Sequence, residues 1–348
     1  MNTKSISQYT LTLALLFAFL PATNAEEIDW ERARELRQKM KSGETLSEVD
    51  SAYLEKATEA RKGMRTATAD PTRGDGSDEV ATVAPVEVSE EDSPVKTLTA
   101  TASDGNEIEF AYRVPKADRP LPAIIFIHGS LGQSRIRELV HSARTNPTHT
   151  RFLDAGYVAV AATFRTYGRE PLSRGPVLDL IAIVQKVKKL PEVDPESVVI
   201  FGTSGGGHIG LELAGSDEVS FPAVVIGEPA SVLYTGLMTG IEMRDRSMKE
   251  YATLYTDEHR KATEAKIAAI SCPILVHHGD VHLLKNINFD IVFPAIEKAG
   301  KTLVIKRYPG EDHGFYWGNR TSEATVDLVV ANTRAFIEPL LKTKPAGQ

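Results

Sequence analysis

A serine flanked by small residues stands near the middle of the chain. Ser204 lies in the sequence G-T-S-G-G at 202–206, after the apolar run 198–201 and before a stretch of helical character at 207–214. A serine between a strand and a helix occupies a strained turn that exposes its hydroxyl, and the glycines let the two backbones approach closely. The segment lacks the lysine of a phosphate-binding loop and does not match G-x-G-x-x-G. The pattern therefore predicts a nucleophilic serine.

A histidine near the other end of the chain could activate this serine. His313 follows the apolar run 303–308 through P-G-E-D, which predicts that it lies in the loop after the last strand. The chain order serine, acid, histidine is the order that accompanies a nucleophile between a strand and a helix. We therefore predict that His313 is the general base.

Backbone amides that could bind a negatively charged oxygen follow a third apolar run. The run 123–127 ends at His128, Gly129 and Ser130. This placement resembles the H-G motif of esterases, and the resemblance implies that the amides of Ser130 and Gly205 are the donors. Preorganised N–H groups stabilise the charge that develops in a transition state.

The acid that would orient His313 has two candidates. Glu228 ends the apolar run 223–227 and precedes P-A, while Asp280 lies in H-H-G-D-V-H at 277–282. Either carboxylate could stabilise the cation of His313. Glu228 could instead bind substrate, and Asp280 could cap its own turn. We prefer Glu228, and both remain open at this point.

Other residues near these motifs are candidates for contacts with a substrate or a metal. The loop 164–169 resembles one that borders the pocket in oligopeptidase-like enzymes, and this implies that Arg165 or Arg169 could receive an anionic group, with solvated loop charges as the alternative. Tyr167 and His282 could line the pocket. A zinc site built from His277, His278 and His282 is disfavoured, since neighbouring strand residues point to opposite faces. We predict no metal and no cofactor.

The elements that must position these residues are short β-rich runs alternating with helical patterns. Several runs are continuously apolar, which is typical of parallel strands covered by helices on both faces. Reactive groups gather at the carboxyl ends of such strands. The predicted strands are 97–102, 107–114, 123–128, 157–162, 197–202, 223–227, 273–277 and 303–308.

The segments before the sheet differ in composition. A basic start, an apolar run at 11–20 and small residues up to Ala25 predict a secretory signal peptide cleaved near Ala25, and hence export to the periplasm or the medium. The apolar run is too short for a permanent membrane span, which needs about 20 residues. The predicted segments are a signal peptide at 1–25, a helical hairpin at 26–65, a flexible linker at 66–94, a catalytic domain at 95–342 with a possible cap at 231–269, and a tail at 343–348.

Composition narrows the class of function. The net charge is −7 and the pI is about 5.8, which argues against binding to nucleic acid. Cys272 is the only cysteine of the chain, so no internal disulfide can form. A chain of 348 residues with 42% hydrophobic residues can bury one large core.

Three segments together resemble a known superfamily. I-F-I-H-G-S, V-D-P-E-S-V-V-I-F-G-T-S-G-G-G and Y-P-G-E-D-H-G-F make residues 95–342 similar to the α/β-hydrolase superfamily, in particular its dienelactone hydrolase and prolyl oligopeptidase-like branches. The resemblance implies a mostly parallel eight-stranded sheet with helices on both faces. It also implies a serine hydrolase that cleaves a small carboxylic ester or related acyl bond through an acyl-enzyme.

The resemblance has one departure. The family commonly carries H-G-x-x-D where this chain has His278 to His282, so the expected aspartate is replaced by a histidine. G-E-P-A at 227–230 resembles a lipase segment in which an acid precedes Pro-Ala, which favours Glu228. The alternatives are an inactive binding protein of the same fold, a prolyl oligopeptidase-like peptidase, and acyl transfer in place of hydrolysis.

Overall fold

The structure is a computed structural model. It describes residues 28–29, 32–33, 36, 39–40, 46–68, 91–168, 173–317 and 320–346. The predicted signal peptide at 1–25 and most of the predicted linker at 66–94 lie outside these residues. Among the residues described, no helix combines the length and the apolar character that a membrane crossing requires.

One eight-stranded sheet organises residues 96–308. The strands are β1 Lys96–Thr101, β2 Glu107–Arg113, β3 Leu121–Ile127, β4 Val158–Ala162, β5 Val193–Thr203, β6 Val224–Gly227, β7 Ile274–Gly279 and β8 Leu303–Tyr308. Their spatial order is β1-β2-β4-β3-β5-β6-β7-β8. β2 pairs antiparallel with β1 and β4, and all other neighbours are parallel. The prediction of eight strands in a mostly parallel sheet is confirmed.

The strand β5 is longer than predicted. It begins at Val193, which pairs with Leu121 before a shift in register. The sequence pattern did not predict this start, because a polar residue, Asp194, follows Val193. The Asp194 side chain accepts hydrogen bonds from the Glu196 amide and the Ser197 hydroxyl. Local bonding of this kind is typical of turns.

Twelve helices are described, and those that pack on the sheet cover both of its faces. The twelve helices are α1 Glu48–Thr68, α2 Ile136–Thr145, α3 Pro147–Asp154, α4 Gly175–Val187, α5 Gly205–Ala214, α6 Ser231–Tyr234, α7 Arg244–Lys249, α8 Tyr251–Leu254, α9 Asp257–Ala269, α10 Leu284–Ile287, α11 Phe293–Lys298 and α12 Glu323–Ile337. Short 3₁₀ turns lie at Ile241–Met243 and Glu338–Leu340, and a π-helical turn, Asn288–Val292, joins α10 to α11.

Two apolar cores lie on opposite faces of the sheet. Along β3, Ile125 and Ile127 enter one core, while Ile124 and Phe126 enter the other. All four are at most 1% exposed. Burying a side chain of this size contributes about 1.5–3 kcal/mol, so both layers stabilise the central strands that carry the site.

The segment 231–269, predicted as a possible cap, is a helical excursion between β6 and β7. It contains α6 to α9. Lys266 on α9 fixes it to the domain by bonding to Glu212 Oε1 on α5 at 2.7 Å, and it also bonds within the segment to the Tyr234 carbonyl at 3.1 Å. Whether this segment moves as a cap stays a prediction.

Candidate active site

The nucleophile candidate Ser204 lies at a sharp turn between β5 and α5. Its backbone has φ 54° and ψ −111°, in a left-handed region that costs a residue with a side chain about 1–3 kcal/mol. Its N–H donates to Gly227 O, and its carbonyl accepts from the amides of His208 and Ala230, each at 2.9 Å. These bonds hold the strained turn against the end of β6.

The glycines around Ser204 are required by close backbone contact. A Cβ at Gly202 would lie 2.2 Å from the Gly206 carbonyl oxygen, and one at Gly206 would lie 2.5 Å from the Ile127 carbonyl oxygen. No side chain fits at such distances. The steric role predicted for these glycines is confirmed.

His313 and Glu228 meet beside this turn. His313 Nδ1 lies 3.5 Å from Glu228 Oε2, a contact slightly longer than a good hydrogen bond. Glu228 is fully buried, and its two carboxylate oxygens accept from the amides of Gly279 at 3.2 Å and Gly314 at 2.5 Å. With Nδ1 turned toward Glu228, Nε2 lies on the opposite edge of the imidazole ring and is left for a reacting group.

Burial shifts the pKa values of both Glu228 and His313. It raises the pKa of Glu228 to about 8, although the two amide donors act in the opposite direction. Burial also holds the pKa of His313 well below its usual range, and the neighbouring His282 adds to this lowering. His313 is therefore neutral at neutral pH, which is the form that can accept a proton.

The predicted oxyanion donors lie next to each other. A Cβ at Gly205 would be 2.1 Å from the Ser130 carbonyl oxygen, and one at Gly129 would be 3.2 Å from Ser204 Cβ. Within the described part of the chain, neither the Ser130 amide nor the Gly205 amide donates to another residue. Both N–H groups are thus available to an oxygen bound beside Ser204.

Backbone strain is concentrated at these residues. Ser130, Ser204 and Glu228 have φ of 99°, 54° and 45°, and no other non-glycine residue in the described ranges has positive φ. Conformations of this kind persist where the surrounding structure enforces them, and they cluster at active sites.

The other acid candidate, Asp280, is engaged elsewhere. Its Oδ1 accepts from the Gly310 amide at 2.7 Å, and its carbonyl accepts from Lys285 Nζ at 2.7 Å. In the ranges that the structure covers, Glu228 is the one carboxylate within 4.0 Å of a ring nitrogen of His313. Asp280 therefore links two loops of the site, as a turn residue would.

The histidines around β7 point in different directions. His277 bonds to Tyr308 Oη and Thr333 Oγ1, both at 2.8 Å, while His278 bonds to Asn288 Nδ2 at 2.9 Å on the other face. The residues described contain no group of three or more potential metal ligands.

His282 occupies the place where the family resemblance leads one to expect an acid. It stacks on His313, with ring centroids 4.4 Å apart and an interplanar angle of 25°. Its Nδ1 accepts from the Leu284 amide at 3.2 Å. The predicted pocket residue is thus a direct neighbour of the base candidate.

Arg165 does not serve as a free receptor for an anionic substrate, which corrects the prediction. Its guanidinium binds Asp104 at 2.5 Å and the fully buried Asp179 at 2.6 Å. These partners tie the β1–β2 turn to α4 and neutralise the charge of Arg165. Tyr167, by contrast, lies in the loop beside the site, where its amide donates to Leu131 O at 2.9 Å.

Two residues of the site were not found by sequence analysis. Tyr316 is fully buried, and its hydroxyl lies 3.0 Å from Thr203 Oγ1 and so close to Gly227 that a Cβ there would overlap it. Asn288, at the start of the π-helical turn, donates to Pro229 O at 3.2 Å. The position of Tyr316 three residues after His313 offered a weak signal, and the sequence offered none for Asn288.

Comparison with known protein families identifies the family of this chain. A model of the prolyl oligopeptidase family matches residues 156–339, which include Ser204, Glu228 and His313. The chain belongs to the prolyl oligopeptidase family. Its fold is that of the α/β-hydrolase superfamily, and the resemblance inferred from its motifs is confirmed.

Individual relatives are more distant. A non-reducing polyketide synthase, atr1, of Stereocaulon alpinum is 31% identical over 204 residues, which are 51% of this chain and 8% of the synthase. The chain thus spans less than a tenth of that relative.

Solved structures share the fold. Thermogutta terrifontis esterase 2, phosphonylated by sarin, superposes with a TM-score of 0.54 at 20% identity and covers 72% of this chain and 97% of its own. Pyrococcus horikoshii acylaminoacyl peptidase gives 0.53 at 17% identity over 74% of this chain and 43% of its own. At these identities the likeness concerns the fold alone.

Proposed function

We propose that this protein hydrolyses carboxylic esters through a triad of Ser204, His313 and Glu228. The observation that carries the proposal is the contact of His313 with Glu228 beside the strained Ser204 turn, with φ of 54° at the serine and 45° at the acid. A triad is recognised by such roles and geometry, not by the sequence position of its members.

In the proposed reaction, Ser204 Oγ attacks the ester carbonyl carbon while His313 Nε2 takes the hydroxyl proton. The oxygen that becomes negative accepts hydrogen bonds from the Ser130 and Gly205 amides. Collapse of the tetrahedral intermediate breaks the bond to the alcohol, which leaves with the proton held by His313. Water then attacks the acyl-enzyme in the same way and releases the acid.

Glu228 has the role of stabilising the imidazolium that forms twice in this cycle. Its carboxylate is held by two backbone amides and cannot turn away from His313. Because the pair is buried, the attraction between the two charges is stronger than it would be in water. Burial raises the pKa of Glu228 and so disfavours its carboxylate, whereas a proton on His313 favours it.

Labelling with a fluorophosphonate tests the nucleophile. The native protein should react at Ser204 and hydrolyse p-nitrophenyl acetate, and Ser204→Ala should lose both properties while its melting temperature is retained. Ser220→Ala, at an exposed serine, is the matched control and should react normally. Labelling of Ser204→Ala to the native extent would exclude the assignment, and absence of labelling in the native protein would favour the inactive binding protein.

Peptide hydrolysis is the second candidate, and family membership is the observation that favours it. The same triad can cleave an amide if the leaving amine is protonated by His313. Rates on p-nitrophenyl butanoate and on short peptide p-nitroanilides should be compared in the mature protein. We expect the ester to be the better substrate, and a higher kcat/KM on a peptide would reverse the order of the two candidates.

We further propose that the protein is exported after cleavage near Ala25. Support comes from the basic start, the apolar run and the small residues before Glu26. Expression of the full chain in a bacterial host, followed by amino-terminal sequencing of the protein released from the periplasm, should give Glu26 as the first residue. Retention of residues 1–25 on a cytoplasmic product would contradict the proposal.

A further inference from the structure

Three buried polar side chains next to the proposed triad have polar atoms without partners. The hydroxyls of Tyr167 and Tyr234 and Nδ1 of His208 make no hydrogen bond within the described part of the chain. These residues are 6%, 1% and 4% exposed. A buried polar atom left unpaired costs about 1–3 kcal/mol, and native proteins contain few of them.

The three residues form one cluster. The ring centroid of His208 lies 6.2 Å from that of Tyr167 and 6.3 Å from that of Tyr234. We call this group the Tyr167–His208–Tyr234 cluster. Its unpaired atoms come from three separate elements, so they do not result from one badly packed loop.

Each member is attached to a different part of the proposed site. Tyr167 is bonded through its amide to Leu131, the residue after the oxyanion donor Ser130. His208 lies one helical turn after Ser204, and its backbone amide donates to the Ser204 carbonyl. Tyr234 ends the short helix α6, which begins three residues after the acid Glu228. The fold thereby brings one polar aromatic side chain from each loop of the site to the same place.

The cluster carries no net charge at neutral pH. Burial lowers the pKa of His208 to about 4 and raises the pKa of both tyrosines above their ordinary value. The nearby charges are Glu212 and Lys266, which bind each other at 2.7 Å. The cluster can donate and accept hydrogen bonds, but it offers no free charge to an ionic ligand.

We propose that the Tyr167–His208–Tyr234 cluster is a specificity subsite that binds an uncharged hydroxyl group of the substrate. A hydroxyl can both donate and accept, as can the tyrosines and the neutral imidazole. This inference rests on the proposed esterase function and names the class of ester, one with a hydroxyl on its acyl or its alcohol part. Since the polar atoms are closed to solvent, the proposal requires that a neighbouring part of the chain move aside when the substrate enters.

Selectivity for a hydroxylated ester follows from the buried polar atoms of the cluster, which lack hydrogen-bond partners. An ester that supplies a hydroxyl satisfies groups that otherwise stay buried and unpaired, whereas a purely apolar ester leaves them so. Sites built in this way discriminate strongly against an analogue that lacks the polar group.

Two matched substrate pairs test the subsite. The first is p-nitrophenyl 3-hydroxybutanoate against p-nitrophenyl butanoate, and the second is 2-hydroxyethyl butanoate against ethyl butanoate. The native enzyme should prefer the hydroxylated member of at least one pair in kcat/KM by about 10-fold or more. Tyr167→Phe and Tyr234→Phe should each reduce that ratio to below about 3-fold. Tyr157→Phe is the control for loss of a buried hydroxyl, because Tyr157 bonds to Glu338 at 3.2 Å, and it should leave the ratio unchanged.

Thermal unfolding provides a second measurement that needs no substrate. Tyr157→Phe loses a hydrogen bond and should unfold about 2–4 °C lower than the native protein. Tyr167→Phe and Tyr234→Phe lose no bond within the fold and should unfold at the same temperature or higher. If both unfold as early as Tyr157→Phe, their hydroxyls are bonded in the resting protein and the subsite is excluded.

The outcomes separate the subsite from the esterase function. Hydrolysis of all four esters with no preference above 2-fold, or a preference that both tyrosine variants retain, overturns the subsite and leaves the triad intact. If none of the four esters is hydrolysed and Ser204 is not labelled by a fluorophosphonate, the proposed function fails and the subsite falls with it.

Discussion

The assignment of the acid can be decided by exchanging each candidate carboxylate for its amide. Glu228→Gln keeps the size of the side chain but has one acceptor oxygen instead of two. Three groups face this side chain: the Gly279 amide, the Gly314 amide and the imidazole of His313. The new amide nitrogen must therefore face an N–H group or the imidazole. The variant also lacks the negative charge that stabilises the imidazolium.

The size of the expected loss follows from these contacts. Removal of the charge that orients and stabilises a catalytic imidazole typically lowers kcat by about 10⁴, which corresponds to about 5.5 kcal/mol in the activation free energy. Asp280→Asn should lower kcat by less than about 10-fold, because its remaining oxygen can still accept from Gly310 at the cost of about one ordinary hydrogen bond.

The assay compares kcat for p-nitrophenyl acetate and the rate constant of fluorophosphonate labelling in both variants. Melting temperatures are measured in parallel, so that loss of folding is separated from loss of turnover. A larger loss in Asp280→Asn than in Glu228→Gln would refute the assignment. Equal losses of less than about 10-fold would show that neither carboxylate orients His313.

The remaining predictions concern pH, stability and backbone contact. Because burial raises the pKa of Glu228 to about 8 and the active form needs its carboxylate, kcat/KM should increase as the pH rises through about 8, and Glu228→Gln should lack this limb. His149→Phe should stabilise the protein by about 1–3 kcal/mol at pH 7, because both buried ring nitrogens of His149 lack partners in the described structure. Burial lowers the pKa of His149 to about 3, so between pH 3 and pH 6.5 the histidine binds a proton in the unfolded chain but not in the folded chain. The free energy of unfolding that His149→Phe gains over the native protein, measured with urea, should therefore grow by about 2 kcal/mol between pH 7 and pH 5. Gly205→Ala should lower kcat/KM by about 100-fold or more, since its Cβ would meet the Ser130 carbonyl at 2.1 Å, while Gly168→Ala, where no atom lies within 4 Å, should match the native enzyme. An unchanged rate in Gly205→Ala, a flat pH profile near 8, or a His149→Phe variant less stable than the native protein would contradict these expectations.

Local patterns were sufficient for the sheet. Eight apolar or alternating runs became eight strands, and the runs without polar interruption, such as β3, became strands buried on both faces. A continuous apolar run is typical of a strand between two layers, so the pattern of runs indicated the architecture. β5 shows the limit, since Asp194 and the turn-like residues after it disguise four residues of strand.

The motifs also determined the nucleophile and base candidates, but not their environment. Ser204 and His313 carry signals within a few neighbouring residues. The role of Arg165 could not be read from its loop, because its partners Asp104 and Asp179 are distant in sequence. Whether an arginine is free or paired depends on which elements the fold brings against it, and local sequence does not contain that information.

The sequence by itself thus determined the fold class, the strained serine turn and a short set of possible acids. The tertiary structure alone decided that Glu228, and not Asp280, faces His313, since β6 and the loop after β8 meet in space although 86 residues separate Glu228 from Gly314. It also revealed the Tyr167–His208–Tyr234 cluster, whose members come from three elements. Periodicity and motifs report on neighbours along the chain, whereas charge pairing and unpaired buried atoms depend on distances that only packing sets.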